Sequence, residues 1–153
     1  MVELAYLNLE AKVPTPISLR VKPPIPIEFG ASAVNHISNR MVEKLKPFGE
    51  HRQYAAIKKE LEAGIIVAHN AEFDMKVLWR EGIDISTYVC TKQMAQKMYP
   101  DAAQHRLQYL RYFLDLDVEG AAHTADGDIA VLKALFDRMI KDGAKPERFT
   151  RSV

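Results

Sequence analysis

An α/β domain with a mixed β-sheet flanked by helices is predicted by three features of this 153-residue chain. Short alternating apolar stretches come first, strand-like and helix-like segments then take turns, and the longest amphipathic pattern comes last. Composition agrees, since 48% hydrophobic with 27% charged residues suits one soluble globular domain able to bury a sizeable core.

The elements can be justified in order. Val2-Glu3-Leu4-Ala5-Tyr6-Leu7-Asn8-Leu9 alternates as a strand does, residues 16–21 read as a second strand, and residues 10–15 form the turn of a hairpin. Pro23, Pro24 and Pro26 each fix φ and lack a backbone donor, so residues 22–27 are expected to be an extended surface connection. Ser38-Asn39-Arg40-Met41-Val42 reads as a short capped helix with the polar pair Asn35-His36 just ahead of it. Over residues 51–63, Tyr54, Ile57 and Leu61 recur at helical spacing, and Gly64 supplies the stop.

Residues 65–68 are a continuous apolar run, as in a buried parallel strand. A helix is expected over 74–81, with Phe73, Val77 and Leu78 toward the core and Gly82 at its end. Tyr88-Val89-Cys90 is a short strand, residues 92–98 a helix stopped by Pro100, and residues 106–113 another helix. Residues 125–140 carry the longest helical pattern, with Ile129, Leu132, Leu135, Phe136 and Met139 on one face.

Charge and cysteine content narrow the function classes. The 21 basic and 20 acidic residues leave a net charge of +1, so contact with nucleic acid must rest on local patches or bound metal rather than a global positive field. The basic stretch Lys44, Lys46, Arg52, Lys58 and Lys59 reads as a solvated face rather than a nucleic-acid track. The single Cys90 excludes an intrachain disulfide framework and fits a reducing cytoplasm. No apolar run approaches the roughly 20 residues of a membrane span.

Two stretches carry the chemistry. In Ile65-Ile66-Val67-Ala68-His69-Asn70-Ala71-Glu72-Phe73-Asp74 a strand runs into a polar turn and then a carboxylate on the first helical turn, the sheet edge where α/β ligands bind. Asp74 there suits a metal ligand, and it also suits a carboxylate that merely complements the helix dipole. His69 and Asn70 alone equally suit a turn that needs polar side chains. In Ala122-His123-Thr124-Ala125-Asp126-Gly127-Asp128, Thr124 can cap a helix whose first turn holds Asp126 and Asp128, which explains the acids but not His123. The two stretches together are far more specific than either piece.

On these residues the chain resembles the DEDD superfamily of 3′→5′ exonucleases, histidine subtype, and most of all its exodeoxyribonuclease X branch, beside the proofreading ε subunits of bacterial DNA polymerase III. The matching segments are Val2-Glu3-Leu4-Ala5, Ala33-Val34-Asn35-His36-Ile37-Ser38, residues 67–74, Cys90-Thr91-Lys92-Gln93-Met94-Ala95 and residues 123–128. The resemblance implies a ribonuclease H-like exonuclease fold over residues 1–141, with 142–153 as a C-terminal tail. It further implies Mg²⁺ or Mn²⁺ held by Asp74 and Asp128, His123 as general base, and His36, Asn70 and Phe73 at the 3′-terminal nucleotide. His69 is assigned a structural part. The expected partners are single-stranded or 3′-terminal DNA, or RNA, with a polymerase or a second copy of the chain as protein partner.

The same resemblance places an Asp-x-Glu motif on a central strand ahead of Val2-Glu3-Leu4-Ala5, where this sequence begins. The expectation is therefore a domain lacking its first central strand and two of its four carboxylates. At most one weak metal site and little or no activity are then expected of the 153 residues alone. Two function classes follow: a metal-dependent exonuclease completed by an upstream strand, or a catalytically disabled module that binds nucleic acid or protein on the same scaffold. Upstream codons for Asp-x-Glu separate the two.

Overall fold

The computed structural model describes residues 1–118 and 125–152, with residues 125 and 126 given by their backbone. The described residues divide into two compact units, residues 1–54 with 125–129 and residues 55–118 with 130–152.

The first unit opens on the expected hairpin. Strands β1 (Glu3–Tyr6) and β2 (Ile17–Arg20) pair antiparallel with Glu3 opposite Arg20 and Tyr6 opposite Ile17. The Glu3 carboxylate accepts from Arg20 Nε at 2.9 Å, and the Val21 amide continues the ladder by donating to the Val2 carbonyl. A cross-strand pair this exposed adds at most about 1 kcal/mol, so it helps to fix register more than stability. The Glu10 amide donates to Asn8 Oδ1 at 2.9 Å within the connection between the strands.

The proline-rich connection forms neither helix nor strand, as expected. Asn39 ties down its end, accepting from the Ile27 amide at 2.7 Å and donating to the Ile27 carbonyl at 3.0 Å. Ile27 can then pack with Ile37 and Val42 in a small core that Val2 partly covers. Helix α1 (Phe29–Asn35) was not foreseen, because it buries none of its residues and so leaves no apolar period to read. Helix α2 (Asn39–Val42) starts after Ser38, where the capping pattern put it. Phe48 is buried in a 3₁₀ turn and meets the Tyr54 ring edge-on, with ring centroids 5.1 Å apart.

The second unit contains a three-stranded mixed sheet, β3 (Ile66–Ala68), β4 (Thr87–Cys90) and β5 (Thr150–Ser152), in the order β3-β4-β5. β3 and β4 run parallel with Ala68 opposite Cys90, and β4 and β5 antiparallel with Thr87 opposite Ser152. The helices are α3 (Tyr54–Ala63), α4 (Ala71–Arg80), α5 (Thr91–Met98), α6 (Leu107–Phe113) and the part of α7 (Ala125–Lys141) from residue 130 onward. Val89, Met94, Ala95, Ala102, Leu110, Leu114, Leu135 and Met139 form the core. Each large side chain among them contributes roughly 1.5–3 kcal/mol by leaving water.

Four expectations need correction. The apolar run of residues 65–68 predicts a buried strand, but only Ala68 is buried, because among the described residues β3 is the edge of its sheet and Ile65 stays exposed. Phe73 was assigned to the core, yet it is 67% exposed, since α4 begins at Ala71 and buries Ala71, Met75 and Leu78. In α7 the fully buried stripe is Val131, Leu135 and Met139, whereas Ile129, Leu132 and Phe136 are half-buried. The stretch from residue 142 was read as a tail, but it holds a 3₁₀ turn (Pro146–Phe149) and then β5, which covers the second edge of β4.

Hydrogen bonds brace α3 against the turn after α4. Lys58 pairs with Glu62 at 2.6 Å and donates to the Gly82 carbonyl, while Glu62 accepts from the Asp84 amide at 2.8 Å. Among the described residues, no helix is long and apolar enough to cross a membrane.

Candidate functional site

The C-terminal ends of β3 and β4 carry the first group of polar side chains. Since Ala68 lies opposite Cys90, the next residues of each strand, His69 and Thr91, also face each other, and His69 Nδ1 lies 3.0 Å from Thr91 Oγ1. One step further, the Lys92 ammonium donates to Asn70 Oδ1 at 3.4 Å.

His69 Nε2 lies 2.8 Å from the His105 carbonyl, which requires the proton on that nitrogen. Burial, above all, pushes the imidazole below its ordinary pKa, and the charges of Lys92 and His105 add to that. A neutral ring leaves Nδ1 as an acceptor. The fully buried Thr91 hydroxyl also lies 3.2 Å from the Ala68 carbonyl, so its single proton serves one of the two acceptors. These contacts agree with the structural part expected of His69.

Asn70 has φ 70°, ψ 43°, a left-handed conformation that Asn tolerates better than most residues. This turn starts α4 at Ala71, three residues before the expected start, and leaves Asp74 in the first helical turn. The Asp74 carboxyl is half-buried and its pKa is pushed up to about 6, chiefly by desolvation, with its own backbone amide opposing. Among the described residues no Lys, Arg or His forms an ion pair with it. Phe73, on the same turn, presents most of its ring to solvent.

His36 lies in the first unit and is exposed. It is the C-cap of α1 at φ 58°, held by its amide's bond to the Ser32 carbonyl at 2.9 Å. The following Ile37 amide donates to Asn35 Oδ1 at 2.9 Å, and the Ile37 side chain is fully buried. Only three non-glycine residues among those described have positive φ, and two of them, His36 and Asn70, are candidate site residues. Strained backbone of this kind concentrates at functional sites.

Asp128 is half-buried near the start of α7 and groups with the first unit, whereas Asn70, Phe73 and Asp74 group with the second. His123 lies outside the described residues. Among the described residues no cluster of three or more His, Cys, Asp or Glu side chains is arranged to hold a metal ion. The donor types of Asp74 and Asp128 nonetheless fit Mg²⁺ or Mn²⁺, which take carboxylate oxygens and need only one or two of them when phosphate supplies the rest. Thr91, Lys92 and His105 were not among the sequence candidates. No local sequence signal could have found the first two, since only the strand register brings residue 91 beside 69 and residue 92 beside 70.

Comparison with known proteins defines the class. The family model described as Exonuclease (RNase_T) matches residues 1–136, and the chain belongs to this exonuclease family, within the DEDD superfamily. The DNA polymerase III subunit epsilon of Treponema pallidum (strain Nichols) is 33% identical over 127 residues, a match covering 74% of this chain and 55% of the relative. Exodeoxyribonuclease 10 of Escherichia coli (strain K12) is 32% identical over 101 residues, 65% of this chain and 42% of the relative. The chain thus spans about half the length of these relatives. A solved structure of exonuclease X in complex with 5′-overhanging duplex DNA superposes with a TM-score of 0.79 at 24% identity, over 97% of this chain and 88% of that one. The fold is ribonuclease H-like, as the sequence resemblance implied.

Proposed function

We propose that this chain belongs to a 3′→5′ exonuclease that hydrolyses the terminal phosphodiester of DNA or RNA. The observation that carries this reading is Asp74: a half-buried carboxylate at the C-terminal edge of two parallel strands, with no cationic side chain to pair with it among the described residues, in a chain of the exonuclease family. Such a group meets a penalty as an anion that a bound cation removes.

In this reading Asp74 and Asp128 hold Mg²⁺ or Mn²⁺. When bound, such ions stabilise negative charge on the attacking and leaving oxygens of an in-line displacement. His123 takes the proton of the attacking water, His36 and the exposed Phe73 ring hold the terminal nucleotide, and Asn70 fixes the turn beside it. The exonuclease X structure contains duplex DNA, and one relative is a polymerase subunit. These two facts support DNA as substrate and a polymerase as partner.

The test compares the 153-residue chain with one extended upstream by a strand bearing Asp-x-Glu, both with Mn²⁺ and 3′-labelled single strands. The extended protein is expected to release mononucleotides from the 3′ end, the shorter chain to show little or no activity, and His123→Ala to slow the extended protein by about 10²–10⁴. An extended protein inert on both DNA and RNA, or a silent His123→Ala, overturns the exonuclease reading and favours a binding module.

A further inference from the structure

Among the described residues of the second unit, Lys58 pairs with Glu62 and Lys133 with Asp137. Lys92 has a different kind of contact. Its side chain is half-buried, and among the described residues no Asp or Glu forms an ion pair with it. Its contact is to a neutral amide oxygen, Asn70 Oδ1, at 3.4 Å. The contact is solvent-exposed, so the ammonium is open to an incoming anion.

The placement is set by the fold. Residues 70 and 92 each lie two positions past the paired ends of β3 and β4, so Lys92 stands beside the turn that starts α4. This is the edge of adjacent parallel strands outside which α/β proteins bind ligands. His69, its other near neighbour, is kept neutral by burial and offers no negative charge.

We propose that Lys92 is a phosphate-binding residue, whose ammonium, steadied by Asn70 Oδ1, donates to a non-bridging oxygen of a phosphodiester in a single nucleic-acid strand. The proposal rests on the exonuclease reading and adds a backbone contact to it. A contact of this kind positions the strand without reading base or sugar, so it serves DNA and RNA alike.

The test is fluorescence anisotropy of labelled oligo-dT and oligo-rU of equal length, each closed by a hydrolysis-resistant phosphorothioate 3′ linkage, titrated in Mg²⁺ over a range of salt concentrations. Wild type is compared with Lys92→Ala, Lys92→Arg and Lys97→Ala, the last an exposed lysine on the same helix. Lys92→Ala is expected to weaken binding of both strands about 10-fold, as for loss of one charged hydrogen bond. It should also flatten the slope of log affinity against log salt by about 0.7, the value for one phosphate contact on a single strand. Lys92→Arg should keep the slope, and Lys97→Ala should change affinity by no more than about twofold.

Binding by Lys92→Ala equal to wild type, an affinity loss with unchanged slope, or equal flattening by Lys97→Ala overturns the proposal while the exonuclease reading stands. The second of these outcomes would mark Lys92 as a brace for the Asn70 turn. Failure of the wild-type chain to bind either strand also overturns the proposal, while the exonuclease reading is decided separately by the release assay on the extended protein.

Discussion

Asp74 ties protonation to stability with a definite sign. Desolvation raises its carboxyl to about 6 in the folded chain, against roughly 3.9 unfolded, so within that window the native state holds the extra proton. Stability therefore falls as pH rises through the window, and the penalty is fully present above it. Asp74→Asn is expected to raise stability at about pH 8 in EDTA by no more than about 3 kcal/mol, seen as a higher Tm, and to be neutral near pH 4. The reverse order, or no gain at the higher pH, would mean that the carboxylate is not desolvated. Thr91 gives a second expectation at this scale. Its buried hydroxyl faces both His69 Nδ1 and the Ala68 carbonyl, so Thr91→Val, nearly isosteric, should cost about 1–3 kcal/mol in urea unfolding. An unchanged midpoint would show that the His69 contacts do not hold the turn. The strand-turn-acid order was legible before the fold was known, because strand ends and helix starts have local signatures. Thr91 and Lys92 were not, because their meaning lies in the register of β4 against β3.

Helix α7 shows how far periodicity reaches. Its existence and length follow from apolar spacing, but the helical repeat alone does not say which of several apolar rows meets the core. Packing selects Val131, Leu135 and Met139. Leu135→Ala is accordingly expected to cost about 2–5 kcal/mol, whereas Ile140→Ala, on a 41%-exposed position, should stay near 0.5 kcal/mol or below. Equal losses by thermal unfolding would contradict the observed face. β5 makes the same point more sharply. Thr-Arg-Ser offers no strand signature, and the segment becomes a strand because β4 presents an edge that needs hydrogen bonds. Deleting residues 150–153 should lower Tm and raise light scattering on heating. A truncated chain as stable and soluble as the full one would show that β5 contributes nothing.

A net charge of +1 on 153 residues restricts how the molecule can hold nucleic acid. With no global positive field, the exonuclease reading predicts few phosphate contacts, and the salt slope for a single strand should be shallow, corresponding to about one to three contacts or a magnitude near 0.7–2. A slope several times steeper, measured over the same salt range as above, would point to a basic track that charge counting missed. Residue order along the chain was sufficient for the α/β character, the hairpin, the helices from α3 onward and the exonuclease resemblance, because each rests on local spacing or on short motifs. It was insufficient for the edge position of β3, the solvent-facing Phe73, the buried row of α7, the strand at residues 150–152 and the Asn70–Lys92 contact. All of these depend on which neighbour lies across a strand or beside a helix face, and burial and hydrogen-bond pairing between segments distant in sequence are settled only when the chain folds.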